Sequence, residues 1–174
     1  MNKLHILVIY ALGFEWYSCK KNIKLMWAKT TFLCIGQWMD NTILTLTRFL
    51  SRNHVDVVVN IGLAGFVDYL IQPGNLLRIR TCHTSHNKQE QHFHPFAFIP
   101  NEHWTICHSS HYPVKSNNLP TILHPHKNLC IDMEARAIAR TCRFFAIPAF
   151  ARKIAFDYIP ANQKYWKKDA QYKL

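Results

Sequence analysis

Two short aliphatic runs, Leu4–Tyr10 and Val55–Ile61, constrain this chain more than any other feature. Runs of this kind, with little polar alternation, suit strands buried on both faces of a parallel sheet. Between them Met39, Ile43, Leu46 and Leu50 recur at helical spacing, with Asp40 or Asn41 placed to cap the helix. Strand, helix and strand in that order predict a crossover unit, and so an α/β fold. The second run leads into Gly62-Leu63-Ala64-Gly65, which reads as a glycine turn. Lys24–Ile35 predicts one or two more strands, Asn75–Thr81 another after the Pro73-Gly74 turn, and Ala149–Ala155 a closing one.

A second helix is predicted over Asp132–Ala146. Ala135, Ile138, Ala139, Cys142 and Phe145 share one face, Arg136, Arg140 and Arg143 the opposite one, and Pro148 ends it. From about residue 82 to residue 128 the sequence turns polar and rich in His and Pro, and an irregular segment is expected there. Residues 158–174 read as a short basic tail. With 49% hydrophobic and 18% charged residues, the 174-residue chain is expected to form a single domain over residues 1–174. No apolar run approaches the ~18–20 residues that span a bilayer. The apolar start closes at Glu15 with no small-residue cleavage site, so the expectation is a cytoplasmic protein without membrane partners.

Six cysteines, Cys19, Cys34, Cys82, Cys107, Cys130 and Cys142, are scattered without a C-x-x-C pair and are expected to stay reduced. Nine of the eleven histidines fall between His83 and His126. Pairs such as His83/His86 and His108/His111 have ligand-like spacing, but they sit on polar sequence with no H-E-x-x-H and no paired Cys. Neither a metal nor a cofactor is expected.

Only ten carboxylates are present, and four are placed for chemistry. Glu15 follows the first strand, Asp132 and Glu134 open a helix, and Asp157 follows the last strand. Ligands of parallel α/β sheets bind at the carboxyl ends of the strands. Capping explains Asp132 as well, and the helix dipole explains Glu134.

The segment Ile131-Asp132-Met133-Glu134-Ala135-Arg136-Ala137-Ile138-Ala139 resembles the (E/D)MEAxAIA signature of the purine and uridine phosphorylase / methylthioadenosine nucleosidase family. Three other pieces occur in the family's order. Ile9–Glu15 is similar to its GAMxEE turn, Val57–Gly65 to its INTGSAG segment, and Ile147–Asp157 to its VPF…KxxSD strand. The resemblance implies a three-layer α/β/α sandwich with a mixed, mostly parallel sheet. It implies cleavage of the N-glycosidic bond of a purine-type nucleoside, with a homodimer as the family's usual state. Glu134 would accept the ribose 2′- and 3′-hydroxyls, Met133 would pack on the sugar, Glu15 would orient the attacking water, and Asp157 would protonate the leaving base. Asp132, Asn60 and Gly62 would line the substrate pocket, and Tyr112 or His111 would approach the base.

Departures from the family pattern are specific. Leu63 stands where the family has Ser, and Phe156 precedes Asp157 where the family has Ser. The last strand matches with Asp157 shifted by one position, or with Phe156 in the acid's place. Asn60 and Leu63 replace the Arg and Ser of phosphate-using members, which favours water as nucleophile unless Arg78, Arg80 or Arg152 substitutes. The alternative reading is a catalytically degenerate relative that binds nucleoside or nucleic acid. The net charge of +11 and the aromatic residues interleaved with Lys and Arg near the end of the chain allow nucleic acid as a partner without favouring it.

Overall fold

The computed structural model describes residues 3–13, 15, 28–67, 71–84, 87–93, 103–111, 114 and 129–159. Among these residues eight strands and two helices follow in order: β1 (Leu4–Tyr10), β2 (Ala28–Cys34), α1 (Met39–Leu50), β3 (Val57–Phe66), β4 (Leu76–Thr84), β5 (Asn87–His92), β6 (His103–Ser109), β7 (Leu129–Asp132), α2 (Ala135–Phe144) and β8 (Ala149–Tyr158). The fold is α/β with a central mixed sheet. β1 runs parallel to β2 and β3, β3 to β8, β4 to β6 and β6 to β7, while β3–β7, β4–β5 and β4–β8 are antiparallel.

The pairing also closes on itself. β3 pairs with β8, β8 with β4, β4 with β6, β6 with β7, and β7 returns to the far end of β3 at Gly65 and Phe66. This ring brings the ends of β7 and β8 beside the second half of β3, where Gly62 lies.

Alternation along the strands builds two apolar layers. Leu7, Ile9, Val58, Ala64 and Phe66 pack with Leu46 and Leu50 of α1 and Ala135, Ile138 and Cys142 of α2. Ile6, Val8 and Val57 face the other way, against Phe32, Val59, Ile61 and Phe150. Both described helices therefore cover one face. The third layer that the resemblance implies is not seen among the described residues.

Several expectations need correction. Gly62–Gly65 is not a turn: it continues β3, because β1, β8 and β7 supply ladder partners along the whole of Val57–Phe66. The segment expected to be irregular carries the end of β4 and all of β5 and β6. β5 (NKQEQH) pairs only with β4 in the described sheet, and an edge strand needs no apolar pattern. α1 starts from Trp38, not Asp40 or Asn41, without a side-chain capping bond; the Thr42 hydroxyl instead donates back to the Trp38 carbonyl at 3.0 Å, which also accepts the Thr42 N–H. α2 begins at Ala135, since Asp132 is the last residue of β7. Asp157 lies inside β8, not after it. Arg140 and Arg143 are exposed as expected, but Arg136 is buried at the first turn of α2. Cys82, Cys107, Cys130 and Cys142 are buried free thiols, and Cys34 is an exposed one.

Candidate active site

Glu15 follows the carboxyl end of β1 and is buried. Backbone N–H groups hold its carboxylate: Ala11 and Leu12 donate to Oε2 and Leu63 donates to Oε1, each at 2.9 Å. The Leu63 bond ties the end of β1 to β3 directly over Gly62. A Cβ added at Gly62 would stand 2.6 Å from Glu15 Oε1, so any other residue there would push the carboxylate aside.

Lys153 of β8 is in register with Gly62, and its side chain therefore faces the same side of the sheet. It is 2% exposed, and its Nζ lies 3.2 Å from Asp132 Oδ2. Asp132 is fully engaged. Its Oδ1 accepts from Ser109 Oγ at 2.8 Å and Cys107 Sγ at 3.2 Å, while Oδ2 also accepts from the Ala135 N–H at 2.9 Å. Ser109 in turn accepts from the Arg136 N–H at 2.9 Å. Two orphan donors of the α2 N-terminus are thus satisfied by β6 and β7. Asp132 is an anchor for that terminus and for Lys153.

Glu134 occupies the N-cap position of α2 and is buried, with no capping bond from its own side chain. Burial pushes its carboxyl up to about 7; Asp132 and Glu15 add to the rise, and Lys153 opposes it. Burial alone would lower Lys153, but Asp132, Glu134 and Glu15 outweigh it and leave the ammonium more firmly protonated than usual. Glu15, Asp132, Glu134 and Lys153 are therefore one electrostatic unit in the layer between the sheet and α2.

Of the other expected residues, Asn60 and Met133 adjoin this unit, whereas Asp157, Arg152 and His111 are not brought to it. Asn60 lies two residues before Gly62 on the same face, and its buried Oδ1 has no hydrogen-bond partner among the described residues. Met133 is half-buried between Asp132 and Glu134. Asp157 is half-buried farther along: a bulge at Phe156 puts it in register with Gly65, and a Cβ there would be 3.5 Å from Asp157 Oδ1. Gly65 is three residues, about 10 Å, along β3 from Gly62. Arg152 pairs with Ile61 and is on the opposite face from Lys153, while His111 is exposed. Tyr112 lies outside the described residues. Among the described residues no group of three or more His, Cys, Asp or Glu side chains is arranged to hold a metal ion.

Sequence reasoning missed Lys153 and Ser109 as parts of the site. Lys153 sits in the KxxSD-like segment, and a lysine inside an apolar strand is itself a signal, since Lys is almost never fully buried unless paired. Ser109 carried no comparable mark.

No protein-family model and no curated protein matches the sequence. Solved structures do match. One from Borrelia burgdorferi, assigned as a 5′-methylthioadenosine/S-adenosylhomocysteine nucleosidase and bound to adenine, aligns with a TM-score of 0.80 at 15% identity, covering 92% of this chain and 90% of that one. The nucleosidase of Colwellia psychrerythraea, also with adenine, gives 0.77 at 14% over 91% and 84%. That of Chlamydia trachomatis gives 0.77 at 16% over 97% and 90%. The chain thus has an α/β fold of the nucleoside phosphorylase type. More particularly, it is the fold of the methylthioadenosine/S-adenosylhomocysteine nucleosidases.

Proposed function

We propose that this protein hydrolyses the N-glycosidic bond of an adenine-type nucleoside. The observation that carries the reading is the pairing of Glu15, pinned by three backbone N–H groups over Gly62, with buried Glu134 at the start of α2. Departure of a base leaves oxocarbenium character on the sugar and negative charge on the base. A carboxylate that binds the ribose hydroxyls and a second that orients water serve the sugar side, and an acid serves the base side. Glu134 takes the first role, Glu15 the second and Asp157 the third. Asn60 Oδ1 offers a further acceptor on the same face. Leu63 gives its N–H to Glu15 and has no hydroxyl for phosphate, which favours water as the nucleophile. From the family resemblance of the sequence we infer that the active form is a homodimer, which analytical ultracentrifugation would test.

The test of the activity is base release from methylthioadenosine, S-adenosylhomocysteine, adenosine, inosine and uridine, with and without phosphate. Release from the adenine nucleosides in phosphate-free buffer, lost in Glu15→Gln and Asp157→Asn, is expected. No release from any of them would retire the catalytic reading in favour of a binding protein.

A further inference from the structure

The end of the sheet remote from Glu15 holds a cavity of about 700 Å³ that the proposed chemistry does not use. It lies at the start of β1, and the seven residues of that strand put it about 20 Å from the Glu15 end. Its positive charge comes from three separate stretches of chain: Lys3 before β1, Lys29 on β2, and Arg52 in the connection from α1 to β3. Asp56 is the single carboxylate among the described lining residues, and it is already engaged. The His5 N–H donates to its Oδ2 at 2.6 Å, and His54 Nδ1 lies 3.9 Å from Oδ1.

The floor of this cavity is built and held. The His5 ring is buried, with Nδ1 at 2.6 Å from the His54 carbonyl and Nε2 at 2.8 Å from Thr31 Oγ1. The Asp56 N–H returns a bond to the His5 carbonyl at 3.0 Å. Three carbonyls in the last turn of α1, which would repel an anion, are engaged: Ser51 N–H donates to Thr47, Arg52 N–H and the Asn53 amide to Phe49, and Ser51 Oγ to Arg48. What faces the cavity is three fixed cations on long, exposed side chains around a pinned floor.

We propose that this cavity is a second site, for a small anion carrying two or more phosphate groups, such as an oligophosphate or the phosphate chain of a nucleotide. Ammonium and guanidinium groups from three directions match a multivalent phosphate better than a single charge. Among the described residues no Phe, Tyr or Trp lines it and the His5 ring is buried and hydrogen-bonded on both nitrogens, so it lacks the row of stacking platforms that single-stranded nucleic acid uses. The volume falls in the range of small-molecule sites.

The experiment is calorimetric titration of the full chain with inorganic tripolyphosphate at moderate salt, for wild type and Lys29→Ala/Arg52→Ala. Both residues are exposed, and unchanged circular dichroism would show that the fold is kept. Binding that weakens about tenfold or more in the variant is expected, with nucleoside cleavage unchanged. Affinity within twofold of wild type would overturn the site. A 20-nucleotide single strand forms the second arm, and its affinity should be insensitive to the substitutions. If the oligonucleotide loses affinity and tripolyphosphate does not, the cavity belongs to a nucleic-acid surface and the small-anion site is wrong.

Discussion

Glu15, beyond the end of β1, lies against Gly62 of β3: a Cβ at Gly62 would stand 2.6 Å from Glu15 Oε1. The carboxylate cannot retreat without giving up the N–H groups of Ala11, Leu12 and Leu63. Gly62→Ala should therefore displace Glu15 while leaving the core intact. Its kcat for nucleoside hydrolysis should fall by about 10²–10⁴-fold, the range for losing a positioned acid–base group. Steady-state kinetics beside a urea melt checks this; wild-type kcat in a folded variant would remove Glu15 from the mechanism.

Glu134 gives a pH signature. Its carboxyl is pushed up to about 7, by burial first and then by Asp132 and Glu15. Between the ordinary value of 4.5 and about 7, the folded protein keeps a proton that the unfolded chain has lost, so this group's contribution to stability falls as pH rises through that window. Substrate binding should move the other way, because only the ionised carboxylate accepts two hydroxyl protons. kcat/KM should rise toward a plateau above pH 7. Glu134→Gln should lose that limb and about 10²–10⁴-fold in kcat/KM, taking about 1.5–3 kcal/mol for each hydrogen bond to a charged group. A variant with the wild-type profile would mean that another group titrates.

Lys153 and Asp132 are both almost wholly buried, 3.2 Å apart. Removing one partner of such a pair strands the other charge, at about 3–5 kcal/mol. Lys153→Met should be destabilised by about that much, and Lys153→Met/Asp132→Asn by less than the single variant, because the stranded carboxylate is gone. Urea midpoints read both. Equal stability of the single variant and wild type would show that the pair contributes nothing. In the single variant the limb assigned to Glu134 should also move to higher pH, since Lys153 is the charge that holds it down.

The parts of this site that were legible in the sequence are those in which one residue type serves one purpose. The β1–α1–β3 unit followed from apolar periodicity, and the four carboxylates stood out because acids are scarce in a chain with net charge +11. The continuation of β3 through Gly62–Gly65 was hidden because glycines usually mark turns. Here they mark close approaches, to Glu15 at one end and Ile159 at the other. β5 and β6 were hidden because their order comes from ladder pairing with β4 and not from an apolar alternation of their own. The burial of Arg136 escaped a helical-wheel argument because it depends on β6 packing at the α2 N-terminus, a contact between residues far apart in sequence.

His108 supplies a test of the fold that is independent of activity. Its ring is buried on β6, edge-on to His83 with centroids 5.2 Å apart, next to the Ser109 that holds Asp132. Burial, and then His83, lowers its pKa from 6.5 to about 4, with Asp132 pulling the other way. On acidification from 6.5 toward 4, the unfolded chain takes up a proton that the folded one refuses, so stability is lost as pH falls across that window. His108→Asn has nothing to titrate there, and the difference between its urea midpoint and that of wild type should change steadily from pH 6.5 to 4.5. The Glu134 contribution, which has the opposite slope, is common to both proteins and cancels in that difference. A difference that stays flat with pH would mean that His108 accepts its proton in the folded state as readily as in the unfolded chain.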